Sequence, residues 1–468
     1  MPNRSRLLLI SACLYALSLS GCTGEDSPTL TDRFDPVTQS YAFILPNLKP
    51  VAGVGGVRAE DCGRCHQAIY AEWKGSTHAS ALRDIQFQAE ITKTDSPKWL
   101  CLNCHIPVQN QRSYLVTHLQ DNDVLRPVTK PNPAFDPTMQ PEGVTCAACH
   151  VRRDEKTGDS YIIGPFETAL APHPVRTDPD FLRTICGRCH NPQGEGLTRN
   201  LVCWFETEKE LAEAHASDGK LPSSCVDCHM PARQRRLVDD SLQFPHLPIR
   251  PTRRHFWAGG GIPKWYHGYE DLLERGYAPA LGVKVANPTG VQPGGVAHMT
   301  VRLTNRSAGH YLPTADPERF ILAVATLRDA AGDTLARQTL RIGQTWEWNP
   351  ARKVADNRLA QGETREWPVS FSLPASLRGV TLDVTAYHVR LTAGNARYLM
   401  QAADSVDEAL FPDGRRYVAD VLDEYPFATV VYREMLNLQT GARRVSSPLE
   451  LIELSKAERG KPLSERVY

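Results

Sequence analysis

Ten cysteines and five histidines repeat one spacing along the chain, Cys-x-x-Cys-His. The copies are Cys62, Cys65 and His66; Cys101, Cys104 and His105; Cys146, Cys149 and His150; Cys186, Cys189 and His190; and Cys225, Cys228 and His229. With 13 Cys and 15 His in 468 residues, chance would give about 0.01 such motifs. The spacing has a physical reason. Two thiols three residues apart share one turn and can form thioethers to the two vinyl groups of a haem. The next histidine then lies under the iron as its proximal ligand. A zinc ribbon needs four ligands from paired knuckles, and a redox dithiol needs no histidine behind it. Neither explains a histidine after all five pairs. The motifs therefore imply five c-type haems, with haem iron as the metal.

The motifs start 39, 45, 40 and 39 residues apart (62, 101, 146, 186, 225), so the segment from 62 to 229 has 168 residues for five cofactors. About 34 residues per haem is too little chain to wrap each macrocycle in its own core. The haems must cover one another, edge to edge or stacked. Secondary structure should be sparse, with short helices, one of them over Ala68–Ala81, between Pro- and Gly-rich connections. Sixth ligands have to come from elsewhere. Ten histidines lie outside the motifs, at 78, 118, 173, 215, 246, 255, 267, 298, 310 and 388. Met230 follows a proximal His and is poorly placed for a different iron. Histidine is thus the expected distal ligand, giving bis-His haems of lower potential than Met/His haems. His215, on a predicted helix over Glu206–Ala216 just ahead of the fifth motif, is one candidate; His118 and His246 carry no flanking pattern. Cys203, outside the motifs, reads as a buried inert thiol.

Several stretches together resemble the cytochrome c-554-like multihaem cytochromes. They are Cys62–His66 followed by Trp73-Lys-Gly-Ser-Thr-His78-Ala, then Cys101-Leu-Asn-Cys-His-Ile-Pro107, Gly143-Val-Thr-Cys-Ala-Ala-Cys-His150 and Gly164-Pro-Phe running on to His173. Cys225-Val-Asp-Cys-His-Met-Pro231 and Arg254-His255-Phe256-Trp-Ala-Gly-Gly260 complete the set, which covers residues 60–261. The resemblance implies that His78, His173 and His255 are distal ligands. Relatives often carry a second His just after the Gly-Gly pair, where this chain has Gly261. Either His267 substitutes, or one iron lacks that ligand.

The elements behind these motifs change character near residue 280. Ala297, Met299, Val301 and Leu303 alternate with polar neighbours, and so do Trp367, Val369, Phe371 and Leu373. Phe320–Leu327 is apolar on both faces, as a central strand would be, and Asp329–Asp333 supplies a hairpin turn. Further strands are expected at Leu281–Ala286, Val380–Leu391 and Ala428–Leu436, and a terminal helix near Leu449–Arg459. The pattern predicts an α+β multidomain chain. A mostly irregular and helical multihaem cytochrome c domain over 59–275 would pack on a C-terminal antiparallel β-sandwich, immunoglobulin-like in architecture, over 280–400. Residues 401–468 would form an extension, partly strand and partly helix. One segment breaks the alternation: Asn305-Arg-Ser-Ala-Gly-His310-Tyr-Leu-Pro-Thr314. It resembles a stretch of the β-domains appended to some multihaem cytochromes. A Gly-His turn followed by Leu-Pro aims the imidazole away from the sandwich, making His310 a candidate distal ligand that fastens the two domains through an iron.

The N-terminus reads as an address. Arg4 and Arg6 precede an apolar run from Leu7 to Leu19, shorter than the roughly 20 residues needed to cross a bilayer. Leu19-Ser20-Gly21-Cys22 resembles the lipobox of bacterial lipoproteins. Residues 1–21 are then a signal peptide, Cys22 the lipidated first residue of an exported chain, and 22–58 a flexible tether. By the same resemblance, Thr23 favours the outer membrane. Two or more acyl chains anchor a protein stably without spanning the bilayer.

Composition bounds the functions. Hydrophobic residues at 41% and charged residues at 23% exclude wholesale disorder and a multi-span membrane protein. Lys plus Arg equals Asp plus Glu at 53 each, so no net field points to nucleic acid. Two basic runs, Arg233–Arg236 and Arg250–Arg254, could offset haem propionates. The expected function is electron transfer between redox protein partners, with no catalytic residue and with self-association possible through the haem termini or the β-domain. The alternative is an oxidoreductase with one open haem, acting on a small nitrogen or sulfur oxyanion. All five motifs end in His, so no Lys-ligated motif marks such a haem.

Overall fold

A Cys-x-x-Cys-His unit needs only one helical turn, and short turns dominate the motif-bearing part of the protein. The computed structural model describes residues 28–192, 197–199, 205–238, 247–257, 279–424 and 427–468. Its helices up to the fifth motif are α1 (Ala59–Gly63), α2 (Gln67–Lys74), α3 (Ile85–Glu90), α4 (Lys98–His105), α5 (Cys146–His150), α6 (Pro179–Thr184), α7 (Gly187–His190), α8 (Thr207–Ser217) and α9 (Cys225–His229). The motif closes as an i to i+4 turn: the His66 N–H donates to Cys62 O at 2.9 Å, and His190 N–H to Cys186 O at 2.9 Å. That turn brings both thiols and the imidazole to one side. The helix expected over 68–81 is shorter than its apolar pattern suggests. It stops at Lys74, where the Gly75 N–H caps the Ala71 carbonyl and Ser76 turns back onto Trp73. The helix at 206–216 appears as α8, shifted by one residue.

Small ribbons link the turns. β1 (Tyr114–Leu119) pairs with β2 (Pro127–Pro131); β3 (Val151–Arg153), β4 (Ser160–Gly164) and β5 (Val175–Thr177) form a three-stranded sheet; β6 (Ala232–Arg235) pairs with β7 (Arg250–Arg253). The C-terminal part is built from β8 (Leu281–Val285), β9 (Val296–Asn305), β10 (Phe320–Arg328), β11 (Thr334–Trp348), β12 (Ala351–Asp356), β13 (Thr364–Ser372), β14 (Thr381–Val389), β15 (Ala428–Asn437) and β16 (Arg443–Val445). They make an antiparallel six-stranded sheet, ordered β12-β11-β10-β14-β15-β16, and a three-stranded sheet, β13-β9-β8. Val301, Leu303, Trp367 and Val369 of the smaller sheet share one buried cluster with Ile321, Ala323, Leu382 and Val384 of the larger. Two inner faces are therefore packed against each other, as the period-two pattern requires. β10 lies between β11 and β14 and is buried along nearly its whole length. His298 is exposed, with Nδ1 2.8 Å from Ser370 Oγ, on the polar face that the alternation assigns to it.

The larger sheet does not stop near residue 400. β15 pairs with β14 from Thr381↔Asn437 to Val389↔Ala428. Between them lie three short helices, α10 (Ala393–Ala402), α11 (Gly414–Ala419) and α12 (Val421–Glu424), and a terminal helix α13 (Pro448–Ala457) follows. The inserted helices pack on α3: Ile85 and Ala89 join Leu391, Leu399, Phe411 and Val418 in one buried cluster. Tyr398 donates its hydroxyl to Ala89 O at 3.2 Å, and Gln86 Nε2 donates to Glu318 at 2.8 Å.

Candidate haem-binding site

Every cysteine and histidine of the five motifs lines one cavity of about 2110 Å³. An ordinary ligand cleft has roughly 300–1,000 Å³, so this space fits several large flat molecules. None of the ten motif cysteines is paired with another in a disulfide. Burial pushes the Cys101 and Cys149 thiols up to about 11. Among the described residues no three His, Cys, Asp or Glu side chains converge to hold a bare metal ion, whereas a zinc knuckle pair needs four such ligands together.

Four of the five candidate distal histidines join the motifs in this lining: His78, His173, His255 and His310. Three stand opposite a proximal histidine. The ring centroids are 6.1 Å apart for His78 and His190, 6.1 Å for His255 and His150, and 6.3 Å for His310 and His229. Two imidazole nitrogens at about 2 Å from one iron, each roughly 1.1 Å from its ring centre, set centroids about 6 Å apart. The three separations match a single metal between each pair. His173 lies within the electrostatic reach of His66. His215 is not among the lining residues; its Nδ1 is 2.8 Å from Leu221 O, beyond the end of α8. His388, in β14, does line the cavity and is buried there.

The ring nitrogens are already oriented. Nδ1 of His66, His105, His150, His255 and His310 lies 2.6–2.9 Å from the carbonyls of Leu237, Ala81, Ile163, Arg253 and Tyr311 respectively. Donating there fixes the Nδ1–H tautomer and leaves the Nε2 lone pair for a metal. Nδ1 of His78 and of His173 is buried without a hydrogen-bond partner, which is costly in an apolar space and fits a lining shaped around an occupant. Burial, reinforced by neighbouring imidazoles, pushes His78 and His255 down to about 3 and His190 to about 4. His150, His173 and His310 are lowered too, with burial the largest cause. Neutral imidazole is the form that ligates a metal.

Glycine places two of these histidines. Gly143 has φ +63°, and a Cβ there would meet His78 O at 2.5 Å, while Val144 N–H donates to that same carbonyl at 2.9 Å. A Cβ on Gly309 would meet Leu211 Cδ1 at 2.7 Å, so the His310 loop closes tightly onto α8. Trp257 stands between two distal candidates, 4.2 Å from His78 and 5.6 Å from His255 by ring centroids. Sequence reasoning assigned no role to Trp257 or to two buried carboxylates, Glu72 and Glu210. A lone Glu on a short helix carries no signal that separates it from solvated surface charge. Cys22, Cys203, His246, Gly261 and His267 lie outside the described residues.

Residues 61–151, which hold the first three motifs, match the family model described as cytochrome c554 and c-prime. No curated protein sequence matches the chain. Among solved structures, a penta-heme cytochrome c552 from Thermochromatium tepidum is similar at 18% identity with a TM-score of 0.49, covering 85% of this chain and 100% of that one. The family match agrees with the resemblance read from the motifs and supports a multihaem c-type cytochrome.

Proposed function

We propose that the protein carries five c-type haems, one on each motif, and passes electrons through them without making or breaking bonds in a substrate. The observation that carries this reading is the set of three proximal–distal histidine pairs at single-iron spacing inside one cavity lined by all five motifs. Bound haem supplies one-electron chemistry at iron; the chain supplies spacing, ligands and a low-dielectric surround. Its thiols hold the attachment points in sequence. Cys62 contacts Cys146, Cys149 lies near Cys189, Cys189 contacts Cys104, and Cys186 contacts Cys225. The motifs thus run from first to third to fourth and fork there to the second and the fifth. A contiguous set of attachment points is what rapid transfer between separate entry and exit surfaces requires.

In this reading His66, His105, His150, His190 and His229 are proximal ligands, and His78, His255 and His310 are distal ligands of the irons on His190, His150 and His229. His173 serves His66. The sandwich, immunoglobulin-like in our reading, holds His310 against the fifth motif. Lipid on Cys22 tethers the chain to the outer membrane, between periplasmic or membrane donors and a further redox protein. No described helix is long and apolar enough to cross a membrane.

Low-temperature EPR of the oxidised, haem-loaded protein, with spin quantitation, tests the proposal. Low-spin ferric haems are expected on His66, His150, His190 and His229, the four irons for which a distal histidine is assigned. A high-spin signal that shifts with nitrite or hydroxylamine would overturn the non-catalytic reading and favour an oxidoreductase of small nitrogen or sulfur oxyanions.

A further inference from the structure

Two buried carboxylates hold the backbone beside two of the distal histidines in the same way. Glu72 of α2 is 9% exposed. Its Oε2 accepts the backbone N–H of His255 at 3.0 Å, and its two oxygens accept from the two Nη nitrogens of Arg235 at 2.8 and 3.0 Å. Glu210 of α8 is 8% exposed. It accepts the backbone N–H of Tyr311 at 3.2 Å, the Thr314 hydroxyl at 2.7 Å and Arg358 Nη1 at 2.8 Å. In each case a helix of the motif-bearing part supplies the Glu, and the held segment presents a distal imidazole.

A buried ion pair contributes little net stability, because desolvating two charges offsets most of their attraction. What such a pair does well is fix geometry, since a carboxylate out of water must keep all its partners. Glu210 holds the chain just after His310: Tyr311 is the next residue, Thr314 closes the loop, and Arg358 stacks over the Tyr311 ring at 4.8 Å. The Tyr311 carbonyl in turn orients His310 Nδ1 at 2.8 Å. Displacing Glu210 frees the peptide that aims Nε2 at His229.

We propose that Glu210 is a positioning residue that holds the His310 imidazole in axial reach of the iron on His229, and so locks the β-sandwich to the fifth haem. The proposal rests on the reading of His229 and His310 as the two axial ligands of one iron. Arg358 keeps a second carboxylate, Asp356, at 2.9 Å, so neutralising Glu210 does not strand a buried charge.

The experiment uses the full haem-loaded chain and three variants: Glu210→Ala, Thr314→Val and His310→Ala. Spin state is read by low-temperature EPR, and low-spin recovery is read with added imidazole. We expect Glu210→Ala to convert up to one haem to the high-spin form, with imidazole returning it to low spin, and Thr314→Val to make that same haem bind cyanide faster than wild type. If His310→Ala becomes high-spin while Glu210→Ala stays fully low-spin and Thr314→Val binds cyanide at the wild-type rate, Glu210 has no positioning role and this proposal falls. If His310→Ala itself stays low-spin, the ligand reading falls instead. Should Glu210→Ala not accumulate, the cyanide rate of Thr314→Val alone decides.

Discussion

Glu142 sits where the first and third motifs meet. Its carboxylate accepts the Ala59 N–H at 2.9 and 3.0 Å and the Thr145 hydroxyl at 2.5 Å, one residue before Cys146. Those bonds favour the charged form, yet burial outweighs them and pushes the carboxyl up to about 7. The folded value therefore lies above the ordinary 4.5. Between 4.5 and about 7 the folded chain keeps a proton that the unfolded chain has released, so stability falls as pH rises through that window and levels off above it. The same ionisation places a negative charge near two haem attachment points, which favours ferric over ferrous iron. The potential of the haems on the first and third motifs should fall as pH rises past about 7, and Glu142→Gln should abolish that slope. Potentiometric titration on either side of neutrality measures it; equal slopes in both proteins would refute the assignment. Residues at this scale divide sharply by legibility. A Cys-x-x-Cys-His turn is local and can be read from five letters. Glu142, Glu72 and Glu210 acquire their roles from burial that no single position announces and from partners 83 to 183 residues away.

Among the elements, β9 and the loop that leaves it carry the most consequence. β9 ends at Asn305, which is fully buried. Its Nδ2 donates to His310 O at 2.8 Å and to Leu359 O at 3.3 Å, while Oδ1 accepts the Ala308 N–H at 3.0 Å. One amide side chain thus folds the whole Ala308–His310 turn back against the sheet. Asn305→Ala leaves His310 O and the Ala308 N–H without these partners, while Leu359 O keeps the Leu312 N–H at 2.9 Å; the cost is about 1–3 kcal/mol for a buried unsatisfied group. Chemical denaturation of the haem-loaded protein should report a loss of that size, together with a changed EPR line for the haem on His229; a loss within error would show the turn to be held by something else. Strands such as β9, β10 and β13 were readable because alternation or continuous apolarity follows directly from which faces are buried. β11 was not, since its apolar residues are sparse and unevenly covered: Leu335 is exposed while Ala336 and Leu340 are half-buried. The helices α10 to α12 escaped as well. They are short, and their apolar residues face α3, some 300 residues earlier in the chain, so no internal period marks them.

At the scale of the molecule, the two halves have different kinds of core. The sandwich closes its own: Val301, Leu303, Ile321, Ile342, Leu359 and Ala386 are at most 2% exposed in a cluster drawn from both sheets. The motif-bearing half has several smaller buried clusters, around Leu48 and Met139, Phe34 and Trp99, and Leu82 and Ile106, beside a cavity of about 2110 Å³ that the sandwich helps to line through His310, Ile321 and His388. We expect the motif-bearing half to depend on haem for its stability more than the sandwich does, because its own buried clusters are smaller than the sandwich core. The chain produced without haem attachment should be cut rapidly by protease between residues 59 and 257, leaving fragments that contain β8 to β15. Part of the insert from 393 to 424 should be lost with the motifs, because its apolar face rests on α3. The haem-loaded protein should resist under the same conditions. Equal resistance of both forms across 59–257 would mean that protein contacts, and not the cofactors, make the core of that half.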